Sequence, residues 1–202
     1  MFLDKNEEIE KKFGGNLPHM HQDGKMQYVT FRLADSLPAS KQCELNKLVD
    51  SFKREHPEPW NHDIQIEYWK IIGPQAERLL HNGYGSCLLR FPEVRKVLID
   101  TISHNDGIKY VVDAYVIMPN HIHMLICPIG KQKIEDILHS IKGFSGYAIN
   151  KLTCSSGQFW MRESFDRLVR SEAAYGHYLR YIISNPRHLR SGEYTLYIRN
   201  SQ

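Results

Sequence analysis

Apolar side chains along this chain switch between a two-residue and a roughly three-and-a-half-residue period, and the switches mark out its elements. Residues 26–33 put Tyr28, Thr30 and Arg32 on one face and Val29, Phe31 and Leu33 on the other, as a strand does. Ser36-Leu37-Pro38 breaks that run. Leu45, Leu48, Val49 and Phe52 then recur at helical spacing and predict a helix over 40–56. Helices are also predicted over 63–81 and 92–104, with a glycine turn at Gly83 and Gly85 between them. Residues 108–118 form a long β-rich run that turns at Pro119-Asn120 into a strand over 121–127, so the two make a hairpin. Next come a helix over 133–152 with the stripe Ile134, Ile137, Leu138 and Ile141, and a short alternating strand over 164–170. The last helix has Ser171 as its N-cap candidate and is stopped by Pro186.

Residues 1–25 are polar and contain Gly14-Gly15, Pro18 and Gly24, which predicts an irregular N-terminal arm. With 57–106 taken as a helical insertion, the remaining order is strand, helix, strand, strand, helix, strand, then a terminal helix. This βαββαβ order gives an α+β fold, an antiparallel sheet with helices on one face, in a single domain spanning 1–202.

The segment 116–126 carries the chemistry. His121 and His123 stand one residue apart in an apolar run, so they share one face of the strand while Ile122 and Met124 take the other. Burying two imidazoles costs desolvation that a bound metal or phosphate offsets, and the pair reads as half of a metal site. The other half is sought on the last helix, where Tyr175, Tyr178, Leu179 and Ile182 form the packing stripe. Tyr181 and Asn185, four apart, share a face at its edge. Two imidazoles and one amide oxygen leave coordination positions open for a substrate, and the mixed nitrogen and oxygen set suits Mg²⁺ or Mn²⁺. Tyr181 is the candidate nucleophile toward a phosphodiester, with Tyr178 as a rival closer to the centre of the stripe. Taken singly, each has a plainer reading: strand histidines, a packing tyrosine, and a helix-end cap at Asn185 before Pro186. His19-Met20-His21 has the same spacing but lies in the polar arm, and is read as structural.

Composition narrows the class further. The chain has 202 residues, 42% of them hydrophobic, which suffices for one real core. No apolar run approaches the roughly 20 residues a membrane span needs, and the N-terminus lacks a signal peptide's basic start and apolar middle. Its four cysteines are widely spaced with no C-x-x-C, as expected of reduced thiols in a cytosolic protein. A net charge of +3 is too mild to identify a nucleic-acid partner. Its distribution says more: from 162 to 199 seven arginines face only four acidic residues, beside the proposed second half of the site. Candidate DNA contacts are Lys142, off the stripe of its helix, and Arg167 and Arg170 flanking the last strand, with Arg32 and Arg162. The plain reading of each is solvated charge.

The segments VIMPNHIHMLI, FWMRESFDRLVR and YLRYIISNP together resemble the His-hydrophobic-His single-tyrosine transposases, and most of all the branch associated with repetitive extragenic palindromes in bacteria. QYVTFRLADSLP and NGYGSCLLR also resemble segments of that branch, and the order is kept from about residue 16 to about residue 190. The chain departs from the branch at Met161, where glutamine is frequent, and at Phe165-Asp166-Arg167, where Tyr-Asp-His is frequent. The resemblance implies a ferredoxin-like fold and metal-dependent cleavage and rejoining of single-stranded DNA at palindromic hairpins. It also implies a 5'-phosphotyrosine intermediate and a cytoplasmic, nucleoid-associated protein acting as monomer or homodimer. Carried across, it makes His121 and His123 metal ligands, Asn185 the third ligand and Tyr181 the nucleophile. The alternative is a non-catalytic nucleic-acid-binding or repressor protein on the same fold, and a further one is a phosphodiesterase that uses water.

Overall fold

The computed structural model describes residues 2, 10–13 and 18–200. Strands β1 (Glu10–Phe13) and β2 (Pro18–His21) pair antiparallel as a separate two-stranded ribbon. This corrects the expectation of an irregular arm over 1–25, whose positions 1, 3–9 and 14–17 lie outside the described residues. The sequences Glu-Lys-Lys-Phe and Pro-His-Met-His are only four residues each and mostly polar, too short to show a strand period.

Five more strands build the main sheet: β3 (Gln27–Arg32), β4 (Tyr110–Ile117), β5 (His121–Pro128), β6 (Phe165–Leu168) and β7 (Thr195–Ile198). They lie in the order β6-β3-β5-β4-β7, and every pairing is antiparallel. The first four are in the ferredoxin-like order, in which the first strand and the third, β3 and β5, are central. The fifth, β7, was missed by pattern reading, since Thr-Leu-Tyr-Ile is only four residues long and half-exposed.

The sheet has two unlike faces. Val29, Phe31, Ile117, Ile122, Met124 and Ile126 point to the first, where they pack against Val94, Leu98 and Ile102 of α3 (Pro92–His104) and the Ile134-Ile137-Leu138-Ile141 stripe of α4 (Ile134–Leu152). Tyr28, Ala114, Val116 and Leu125 point to the second, against Ile182, Tyr178 and Leu179 of α5 (Glu172–Ser184). The Ser171 hydroxyl starts α5 as expected, accepting from the Ala174 amide at 3.1 Å.

The crossover helix beside α4 is α3, although it falls within the 57–106 stretch assigned to an insertion. The helices outside this core are α1 (Ala39–Glu55) and α2 (His62–His81). They share a small core of their own, in which Val49 and Phe52 meet Trp60, Tyr68 and Ile72. The reason is volume: the stripe of α1 is satisfied by two aromatic rings of the following segment, and α3 offers the sheet Val94, Leu98 and Ile102.

Candidate active site

The Pro119-Asn120 turn sets the register that aims the histidines. Met118 N–H donates to the His121 carbonyl at 2.8 Å, and β5 then pairs with β3 so that His121 lies opposite Arg32 and His123 opposite Thr30. Both imidazoles are fully buried on the second face, with ring centroids 4.7 Å apart and planes nearly perpendicular.

Each ring is held by its Nδ1. The Asn120 carboxamide donates from Nδ2 to the carbonyls of Leu80 and Tyr84, at 3.2 and 3.3 Å, which turns its Oδ1 toward His121 Nδ1 at 2.7 Å. An amide oxygen only accepts, so His121 carries its proton on Nδ1 and presents the Nε2 lone pair. His123 Nδ1 sits 2.8 Å from both the Tyr28 and Thr30 hydroxyls. Neither Nε2 has a hydrogen-bond partner among the described residues. A buried unpaired polar atom costs about 1–3 kcal/mol, which a ligand would recover. Burial, and for His121 also the neighbouring His123, hold both rings below the ordinary histidine pKa and keep them neutral, as metal coordination requires.

Tyr181 reaches the same place from α5, its ring 5.2 Å from that of His123. The phenol donates to Glu77 Oε2 at 2.6 Å, and the same oxygen lies 3.5 Å from His123 Nε2. Burial first, and then the Glu77 carboxylate, push the phenol pKa well above its ordinary value. Asn185 caps α5, its amide N–H donating to the Tyr181 carbonyl. Its side chain is buried beside the Tyr181 phenol, and its carboxamide oxygen has no hydrogen-bond partner among the described residues. Tyr178 stacks on Tyr28, with centroids 4.3 Å apart and planes 11° from parallel.

Glu77 and His81 were not singled out from the sequence. They stand four apart on α2, one face of one helix, and that spacing is the signal that could have found them. Glu77, His81 and His121 offer ligand atoms all within 4.8 Å of one another, a group that fits a divalent cation. A cleft of about 570 Å³ opens onto Glu77, His81 and Tyr181, walled by Trp69, Arg167 and Tyr178.

The five candidate DNA contacts fall into two sets. Arg32 binds Ser36 at 2.9 Å and Gln42, tying β3 to α1. Lys142 donates to the Arg162 carbonyl at 2.7 Å and to Ser164 at 2.9 Å, and burial brings its pKa down to about 8. Arg162 has an exposed side chain. Arg167 lies over the Trp69 ring, 4.4 Å from its centroid, and with Arg170 and Lys70 it lines a second cleft of about 390 Å³. All four cysteines are free thiols, and no helix among the described residues is long and apolar enough to cross a membrane.

No curated protein matches the chain. Among solved structures it is similar to a REP-associated tyrosine transposase bound to a REP hairpin, at 15% identity and a TM-score of 0.45 over 83% of this chain and 69% of that one. It is also similar to a Deinococcus radiodurans R1 protein assigned to the transposases, at 13% identity and a TM-score of 0.38 over 79% of this chain and 88% of that one. The family model described as "Transposase IS200 like" matches residues 92–182. Through that stretch, which carries both histidines and the tyrosine, the chain is similar to the IS200-like transposases.

Proposed function

We propose that this protein cleaves and rejoins single-stranded DNA at palindromic hairpins through a covalent 5'-phosphotyrosine intermediate, with Mg²⁺ or Mn²⁺ as cofactor. The observation that carries the reading is the meeting of two unpartnered imidazole Nε2 atoms on β5 with the Tyr181 phenol on α5. The ligands in this reading are His121, His123 and Asn185, whose orphaned amide oxygen suits a hard cation. When bound, the cation supplies positive charge that polarises a phosphodiester and favours phenolate.

Tyr181 Oη attacks phosphorus in line, forming the Oη–P bond as the bond to the 3'-oxygen breaks, and the phenol proton passes to a base. In the reverse step a 3'-hydroxyl displaces Tyr181 Oη and rejoins the strand without ATP. Asn120, Tyr28 and Thr30 hold the imidazoles in place. Arg167 and Arg170 face the strand's phosphates from the clefts and Arg162 from the surface, while Arg32 and Lys142 act through the scaffold. The hairpin preference rests on the resemblance of FWMRESFDRLVR and YLRYIISNP to the palindrome-associated branch.

The test is a labelled hairpin with a single-stranded flank, incubated with protein and Mn²⁺ and then denatured. Label that stays on the protein, and is lost in Tyr181→Phe, supports the reading. Hairpin affinity with no adduct under any metal favours the non-catalytic binder. Cleavage that survives in Tyr181→Phe favours a water-using phosphodiesterase.

A further inference from the structure

Among the described residues Glu77 is the carboxylate that touches both halves of the site, and it comes from α2, outside the sheet's core. Its Oε2 accepts the Tyr181 phenol proton at 2.6 Å and lies 3.5 Å from the unpartnered Nε2 of His123. His81, one turn further along α2, brings a ring nitrogen into the group with Glu77 and His121 in which all ligand atoms lie within 4.8 Å. The C-terminal end of α2 is fastened to the metal half as well, because the Asn120 amide that orients His121 donates to Leu80 and Tyr84. The α2 segment is therefore built into the site at three points.

We infer that Glu77 is a cation ligand held in reserve by the nucleophile, so that cation binding and release of Tyr181 draw on one carboxylate oxygen. This rests on the reading of His121 and His123 as ligands. Two imidazoles and a neutral amide oxygen bind a hard divalent ion weakly, and an anionic oxygen ligand is what Mg²⁺ and Mn²⁺ select. The oxygen nearest the imidazoles already accepts from the phenol. An ion drawing on that lone-pair density weakens the phenol's bond, and the phenol's bond weakens the ion's hold, by the same factor in each direction. Without the ion the carboxylate holds the Tyr181 phenol by this hydrogen bond, and an ion on the same oxygen would free the phenol to face the substrate.

Mn²⁺ titration of the full chain, read by the electron paramagnetic resonance of free Mn²⁺ and needing no DNA or turnover, tests this. Glu77→Gln is expected to weaken Mn²⁺ binding by at least about ten-fold. Tyr181→Phe, which removes the competing donor, is expected to tighten it by about five-fold, the worth of one ordinary hydrogen bond. A purely structural Glu77 would not produce the second effect. If His121→Ala loses Mn²⁺ while Glu77→Gln binds like the parent, or if Tyr181→Phe leaves the affinity unchanged, the inference is overturned and the histidine reading stands. If the parent binds no Mn²⁺, or His121→Ala binds as the parent does, the histidine reading itself falls.

Discussion

At the scale of single residues, the site depends on which nitrogen of each histidine is left free. Asn120 decides this for His121 by spending both its amide hydrogens on Leu80 and Tyr84. Asn120→Ala is therefore expected to lower Mn²⁺ affinity by about 10–100-fold, the usual effect of removing an orienting partner. Mn²⁺ titration of the folded variant checks it. A pH effect follows from the same burial. Both rings have depressed pKa values in the folded chain, whereas the unfolded chain takes up protons near the ordinary value of about 6.5. The unfolded state then binds more protons, so stability falls as pH drops below about 6.5, by up to about 1.4 kcal/mol per pH unit per ring. Melting curves in metal-free buffer should show this fall, and show it shallower in His121→Gln. The shared face of His121 and His123 and the approach of Tyr181 to it were legible, because each stands in a short pattern whose period fixes its face. Glu77 and His81 were not, since nothing in a helix's own sequence says which foreign sheet it will lie across.

At the scale of elements, position along the chain misled where local period did not. The bounds of α2, α3, α4 and β5 follow from apolar spacing to within a residue or two. Which helix covers the sheet is a matter of competing partners, and α1 is taken by Trp60 and Tyr68. The end of α2 is fixed by a close approach at Gly85, where φ is +83° and a Cβ would come 2.3 Å from the Asp35 carbonyl oxygen. Gly85→Ala should separate α2 from the β3–α1 loop, lower the melting temperature and, through Glu77, weaken Mn²⁺ binding together with it. The basic residues divide by the element each serves. Lys142 joins α4 to the 162–164 segment, so Lys142→Ala should cost about 1–3 kcal/mol in denaturant unfolding. Arg162→Ala should leave stability unchanged and reduce the slope of log affinity for hairpin DNA against log salt by about one.

At the scale of the whole molecule, α5 returns to the sheet of its own chain, so one chain contains the imidazoles, the phenol and the carboxylate. Mixing His121→Ala with Tyr181→Phe protein should restore no adduct, and restoration would mean that two chains exchange this helix. The most direct test of the site is to digest the DNA-linked protein and find, by mass spectrometry, which residue carries the nucleotide. The expected result is a phosphodiester on Tyr181 that requires Mg²⁺ or Mn²⁺ and both histidines. Attachment at Tyr178 or at any other residue, or attachment that persists without His121 and His123, would contradict it.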